Sequence, residues 1–269
     1  MSKPSQIRRV GMGSNIKFMT YGAPGTGKTR LAGSSSWPTL IIRPPMDHTD
    51  SLAVISSAAE EWVIDSWAEM EEAYEYLKHE GEKAYRWTVL DSISLWQDSG
   101  LDDVFADTVA RKGPERAEFG PDKGEYGINM HRLAKWVRHV CALDMNIMIT
   151  AHPFQSEDDE GDMLMMPYIQ GKQMPEKISG YMNLIGYLKV HESEKHGTTR
   201  VLLTDRAGKW YGKDQFDAFG GKLIDPTLDK IEEAIQKAKD NVKRTVKKAT
   251  KRTVKKATAT KTDVAWDDV

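Results

Sequence analysis

Residues 22–29, Gly-Ala-Pro-Gly-Thr-Gly-Lys-Thr, combine three glycines, a lysine and a hydroxyl in the spacing G-x-x-x-x-G-K-[ST]. The glycines allow backbone angles that a side chain forbids, so that backbone N–H groups can turn inward and form an anion nest at the start of a helix. We expect Lys28 to reach the β- and γ-phosphates of a nucleotide and the Thr29 hydroxyl to ligand Mg²⁺. All eight residues are predicted to bind the nucleotide: Gly22, Ala23, Pro24, Gly25, Thr26, Gly27, Lys28 and Thr29.

Asp91 is the second residue whose position suggests chemistry. It directly follows the apolar run 87–90, which is typical of a buried strand. An acid at the tip of a strand beside the phosphate loop can hold Mg²⁺ through the metal's water shell, which is the Walker B role. We predict that Thr29 and Asp91 together form the metal site. The alternative is a strand that ends in an ordinary turn aspartate.

The elements that must position these residues alternate between strands and helices. Apolar runs predict strands at residues 16–21, 38–43, 61–65, 87–91 and 146–151. Helical spacing predicts helices over about 66–79, over 92–111, up to about 144 and from 225 to about 240. Two further runs, 184–190 and 199–204, predict a C-terminal β-hairpin. The pattern indicates an α/β fold with a mostly parallel central sheet flanked by helices.

The composition restricts the class of protein. With 269 residues, 39% hydrophobic residues and eight tryptophans, the chain can build one large α/β domain. It has no apolar run long enough for a membrane span and no secretory signal, and its one cysteine excludes an internal disulfide. These features are typical of a cytoplasmic protein without membrane contact.

Charge is divided unevenly along the chain. Residues 1–242 carry 29 basic and 37 acidic side chains, a net charge of −8, whereas residues 243–262 contain nine Lys or Arg and no acid. The octamer at 243–250 recurs identically at 251–258, and polar repeats of this kind cannot bury a core. We predict three parts: a flexible lead over 1–14, a P-loop domain over 15–240, and a disordered basic Lys/Thr/Ala tail with an acidic tip over 241–269.

Residues near two strand ends narrow the type of P-loop protein. AAA+ and helicase-type ATPases usually follow the Walker B acid with a catalytic glutamate, whereas here Ser92 follows Asp91. With this Asp-Ser pair, and with His152 after a buried strand where RecA has a glutamine sensor, the chain resembles the RecA/RadA recombinase core. Over about residues 14–215 it looks like the phage RecA-like ATPases that act in single-strand annealing or recombination mediation.

This resemblance implies a RecA-like P-loop NTPase core that hydrolyses ATP with Mg²⁺ and assembles as a homo-oligomer. It also implies that a carboxylate at the end of the second strand activates water. Relatives typically have Asp-Thr-Glu or a similar run there, while this chain has Arg43-Pro-Pro-Met-Asp-His-Thr-Asp50, so that Asp50 or Asp47 can serve. We take Asp50 as the first candidate. The predicted catalytic residues are then Lys28, Asp91, Asp50 and His152.

The same resemblance implies contact with single-stranded DNA. RecA-like proteins bind DNA through two mobile loops, and the corresponding segments here are 113–126 and 153–166. The second segment is acidic and would repel phosphate. We therefore expect the basic tail, residues 243–261, to supply DNA affinity by neutralising phosphates. A single-strand-binding protein is a further expected partner.

Three other functions stay open. An AAA+-type remodeller, such as a helicase loader, requires a catalytic acid after Asp91, and Ser92 does not supply one. A small-molecule P-loop kinase requires an Arg-rich lid, and no such segment stands out. A nucleotide-gated binding module with little hydrolysis needs no water-activating carboxylate, so a weak match after the second strand is compatible with it.

Overall fold

The computed structural model describes residues 15–157, 161–193, 197–205 and 209–242, and the predicted lead and basic repeats lie outside them. The described strands are β1 (Lys17–Tyr21), β2 (Thr39–Arg43), β3 (Ala59–Val63), β4 (Trp87–Leu90), β5 (Asn146–Ala151), β6 (Pro153–Glu157), β7 (Met163–Pro167), β8 (Leu184–Ser193), β9 (Gly197–Leu203), β10 (Lys213–Asp214) and β11 (Lys222–Ile224). The described helices are α1 (Lys28–Ala32), α2 (Trp67–Tyr76), α3 (Glu82–Ala84), α4 (Ile93–Lys112), α5 (Lys123–Ala142), α6 (Met174–Tyr181) and α7 (described over 228–242). Single turns of 3-10 or π-helix cover Asp50–Leu52, Leu77–Gly81 and Pro114–Phe119.

One sheet organises the molecule. Its strands lie in the order β3-β2-β4-β5-β1-β8-β9-β11, and β10 also pairs with β8. Within this sheet, neighbouring strands are parallel along the series β3, β2, β4, β5, β1 and β8. In contrast, β9, β10 and β11 run antiparallel to their partners. These findings confirm the α/β class, the mostly parallel central sheet with flanking helices, and the C-terminal hairpin of β8 and β9.

The register of the central strands brings the sequence motifs to one edge of the sheet. β5 lies between β1, which leads into the phosphate loop, and β4, which leads into Asp91. Tyr21 pairs with Ala151 and Leu90 pairs with Ile149, so the carboxyl ends of all three strands meet. Open α/β sheets bind their ligands at this edge.

The core lies on both faces of the sheet, because neighbouring residues of a strand point to opposite sides. Met19 belongs to the larger apolar cluster, which includes residues of α2, α4, α5 and α6. Phe18, the next residue towards the N-terminus, belongs to a second cluster with Leu228 and Ile231 of α7. The sheet is therefore covered by four helices on one side and by α1 and α7 on the other.

Two segments differ from the elements predicted from the sequence. The loop expected over 113–126 contains the turn Pro114–Phe119 and the first turn of α5. Arg116 holds this segment, since it donates to Glu125 Oε2 (2.9 Å) and lies over the Phe105 ring at 4.9 Å. The acidic segment 153–166 pairs as the antiparallel hairpin of β6 and β7. No helix in the described part of the chain is long and apolar enough to cross a membrane.

Candidate active site

The phosphate loop, residues 22–27, connects β1 to α1, as the sequence predicts. Gly25 and Gly27 have φ angles of 80° and 97°, a region that side chains rarely adopt. Gly22 N–H donates to Ala151 O of the neighbouring strand (3.3 Å), and Thr26 donates from its N–H and its hydroxyl to Ala23 O (3.3 and 2.8 Å). Left-handed residues in a short loop before a helix are typical of anion nests, so the loop has the conformation that phosphate binding requires.

The side chain of Lys28, the first residue of α1, extends back into this loop. The residue is only 8% exposed, and its Nζ donates to Gly22 O (2.9 Å) and Ala23 O (3.2 Å). Burial lowers the pKa of Lys28, while the negative charges of Asp91 and Asp47 oppose that shift. The loop and the two acids therefore fix the ammonium group at the place where nucleotide phosphates are expected.

Asp91 connects three elements at the tip of β4. Its Oδ2 accepts a hydrogen bond from Thr29 Oγ1 of α1 (2.7 Å), and its Oδ1 accepts one from Thr150 Oγ1 of β5. Burial raises the pKa of Asp91, and the two hydroxyl donors oppose the rise. Carboxylate and hydroxyl oxygens are the hard ligands that suit Mg²⁺. Since the two predicted metal residues touch each other, this donor set fits the metal.

The loop after β2 brings Asp47, rather than Asp50, to the site. Asp47 exerts its charge on Lys28, Asp91 and His152, and its Oδ2 is buried without a hydrogen-bond partner among the described residues. Asp47 N–H donates to Pro44 O (3.1 Å), a turn that directs the side chain. Asp50 is exposed and begins the 3-10 turn Asp50–Leu52. A buried carboxylate oxygen without a partner is costly, and a bound water is the partner that would satisfy it.

His152 lies at the same sheet edge, directly after β5. Its backbone is fixed by α4, since its N–H donates to Ser94 Oγ (2.9 Å), and its carbonyl accepts from Tyr168 N–H (2.8 Å). Burial and the charge of Lys28 lower the pKa of His152, against the opposing effect of Asp47 and neighbouring acids. The lowered pKa favours the neutral imidazole, which can donate one hydrogen bond to a phosphate oxygen.

The family of the chain follows from a match that covers most of its length. Residues 14–216 match the AAA_24 family model, which describes an AAA domain. This chain belongs to the AAA domain family. The matched range contains the phosphate loop, Asp91 and His152, so the protein is a P-loop NTPase by family as well as by geometry. Among functionally curated proteins, none is significantly similar in sequence.

Several solved structures are similar to this AAA domain protein at low identity. The flagellar accessory protein FlaH from Methanocaldococcus jannaschii is 10% identical over 78% of this chain and 84% of its own, with a TM-score of 0.40. A KaiC-like protein from Pyrococcus horikoshii OT3 is 13% identical over 78% and 90%, with a TM-score of 0.39. The RadB recombinase is 12% identical over 70% and 79%, with a TM-score of 0.36.

An arginine of the hairpin also contacts the phosphate loop of this AAA domain protein. Arg200 Nε of β9 donates to Thr26 O (3.2 Å), and a Cβ built on Gly27 would lie 2.5 Å from that nitrogen. Asp225 holds the arginine backbone, since it accepts from Arg200 N–H (3.0 Å) and donates its own N–H to Arg200 O (2.7 Å). Beside this contact lies a groove of about 360 Å³ that is bordered by Arg30, in the size range of small-molecule sites. The sequence alone gave no sign of Arg200, because 174 positions separate it from Thr26.

Proposed function

We propose that this protein is a Mg²⁺-dependent ATPase of phage DNA recombination that binds single-stranded DNA and promotes annealing or strand pairing. One observation carries the hydrolytic part. Asp47 exerts its charge on Lys28, Asp91 and His152, and its Oδ2 is buried without a partner among the described residues, which supports a water-orienting role for this acid. The recombination part is supported by the Asp91-Ser92 pair and by the position of His152, both of which resemble the RecA core.

The residues divide the hydrolytic work between them. Lys28 stabilises the negative charge on the phosphate oxygens as the bond between the β–γ bridging oxygen and the γ-phosphorus breaks. Thr29 and Asp91 would hold Mg²⁺, which neutralises charge on the β- and γ-phosphates when bound. Asp47 orients the attacking water and accepts its proton. Neutral His152 donates to the γ-phosphate and loses that contact when phosphate leaves.

Matched variants of the two loop acids test the hydrolytic part. In Asp47→Asn we expect turnover to fall by about 10²–10⁴-fold, while nucleotide binding persists, because only the proton acceptor is lost. Asp50→Asn should hydrolyse ATP near the wild-type rate, since the residue is exposed. Lys28→Ala should abolish turnover and serves as the baseline. The opposite pattern, with loss only in Asp50→Asn, would return the role to Asp50.

DNA-dependent turnover tests the recombination part. ATP hydrolysis by the full chain should rise with single-stranded DNA, and the rise should be absent in Lys28→Ala. The same proposal includes a homo-oligomer, and light scattering with and without ATP would measure its mass. Adding a single-strand-binding protein to the ATPase assay would test whether that protein is a partner. Hydrolysis that never responds to DNA would instead indicate a protein remodeller or a nucleotide switch.

A further inference from the structure

The hairpin of β8 and β9 has two unlike faces. Leu188 and Leu202 face α7, where they pack in the cluster that contains Leu228. The alternate residues point to the other side, over which an open groove of about 700 Å³ runs. We name this side the hairpin face and define it by six residues of β8, β9 and β11 in register: Tyr187, Lys189, His191, Val201, Lys222 and Ile224.

An aromatic stack lies at one end of the hairpin face. The rings of Tyr187 and Trp210 stack with centroids 6.3 Å apart and planes inclined by 15°. Lys189 Nζ lies 5.5 Å from the centroid of the Trp210 ring. Aromatic rings beside a cation are the combination on which successive bases of single-stranded nucleic acid stack. A duplex hides the faces of its bases, so the stack favours a single strand.

The charge of the hairpin face is opposite to that of the body. The face carries Lys189, Lys222 and His191, whereas residues 1–242 have a net charge of −8. Neither lysine forms an ion pair within the described residues. Asp225, an acid that borders the groove, already accepts the Arg200 N–H. Both ammonium groups can therefore neutralise phosphates, which is the main source of affinity for a nucleic acid backbone.

We propose that the hairpin face binds single-stranded DNA, with a base against Trp210 and phosphates at Lys189 and Lys222. This inference rests on the proposed function, because it places the DNA partner that is assumed there. It differs from the expectation that the basic tail alone supplies the affinity.

The same two strands connect the hairpin face to the nucleotide site. Leu188 O lies so close to Gly22 that a Cβ there would be 2.3 Å away, and Arg200 donates to Thr26 O. Leu188 directly precedes Lys189, and Arg200 directly precedes Val201. These contacts give DNA bound on one side of the strands a physical route to the phosphate loop on the other side.

The test uses the full chain and fluorescein-labelled oligo-dT over a series of salt concentrations. In the Lys189→Gln, Lys222→Gln double variant, the affinity for oligo-dT should fall at least tenfold. The negative slope of log K against log salt should become shallower by about 1.4, because each lost phosphate contact of a single strand accounts for about 0.7. Lys135→Gln, an exposed lysine of α5, is the matched control and should change neither value.

Tryptophan fluorescence gives a second readout that reports stacking. Oligo-dT should quench the wild-type emission, and Trp210→Leu should lose most of that quenching, whereas Trp37→Leu, at a 59% exposed position, should retain it. A duplex of the same length should quench little. Circular dichroism of each variant checks that the fold is kept.

The outcomes separate this inference from the proposed function. If the wild type binds DNA and the double variant keeps the same affinity and salt slope, the hairpin face is not the DNA-binding surface. The proposal of a DNA-dependent ATPase would still stand. ATP hydrolysis without any binding of oligo-dT by the wild type would overturn both the DNA partner and the hairpin face. Equal quenching by duplex and single strand would refute stacking on Trp210.

Discussion

Two glycines of the phosphate loop should respond to the same substitution for different reasons. Gly22 has no positive φ angle, yet a Cβ there would lie 2.3 Å from Leu188 O, 0.7 Å inside the 3.0 Å that real Cβ contacts respect. The obstacle is a backbone carbonyl of β8, whose strand pairs with β1 from Leu184 to Tyr187. Gly25 has a φ angle of +80°, but nothing lies within 4 Å of its Cβ position.

The magnitudes follow from these two geometries. Gly22→Ala must displace a paired strand, and overpacking of this kind costs about 3 kcal/mol, the upper part of its usual range. Gly25→Ala costs about 1–2 kcal/mol for the left-handed angle. The less flexible unfolded chain offsets part of the cost equally in both variants, so the free energy of unfolding should fall about 1–2 kcal/mol further in Gly22→Ala.

Urea unfolding without nucleotide measures this difference directly. Both variants should lose nucleotide affinity, because both alter the loop, so stability is the informative quantity. Equal decreases in the free energy of unfolding of the two variants would mean that the loop shifts to make room for the new methyl group and that β8 stays in place. That result would refute the rigid contact between the phosphate loop and the hairpin.

Three further predictions concern single contacts. Thr29→Val should weaken nucleotide binding in the presence of Mg²⁺ and leave binding in EDTA unchanged, because only the hydroxyl beside Asp91 is lost; a nucleotide titration under both conditions checks this. Burial lowers the pKa of Lys17 below 10.5, so near that pH the unfolded chain binds the Lys17 proton more readily than the folded chain does. The free energy of unfolding should therefore rise as pH increases towards 10.5, and urea unfolding of Lys17→Met should lack this part of the rise. Glu232→Ala should lower the free energy of unfolding by about 1–3 kcal/mol, since it leaves the buried Trp87 Nε1–H without its 2.6 Å partner, whereas Glu232→Gln keeps an acceptor and should cost less in the same assay.

The sequence predicted the elements that have strong local patterns. Strands β1, β2, β4 and β5 are present with boundaries shifted by no more than one residue, because buried parallel strands consist largely of continuous apolar residues. The edge strand β3 contains two exposed glutamates, and its boundaries are shifted by two residues. Helix α2 begins directly after Ser66, where the predicted helix starts, because Ser66 Oγ accepts a hydrogen bond from Glu69 N–H (3.3 Å) and caps the first turn. The eight-residue motif 22–29 also required no long-range information, since its glycines specify the turn locally.

Other features depend on contacts that a linear pattern does not encode. Helix α6 is only eight residues long and has a proline in its first turn, so too few turns repeat for the pattern to indicate a helix. Asp47 and Asp50 are three residues apart, and the contacts that orient Asp47 are the turn closed by Pro44 O and the Arg43 hydrogen bond to Asp47 O (2.7 Å), which spacing alone does not reveal. Arg200 reaches the phosphate loop because of the pairing of β8 with β1 and β9, which sequence spacing cannot reveal.

The pairing of β8 with β9 has a consequence for how this chain can vary in length. Leu188, Arg200 and Leu202 face the phosphate loop or α7, whereas the alternate residues Lys189, His191 and Val201 border the groove. An inserted or deleted residue within either strand would exchange the two sets, turning Arg200 away from Thr26 and Lys189 towards α7. Descendants of this sequence must therefore keep the number of residues in both strands if Arg200 is to stay at the phosphate loop and Lys189 at the groove.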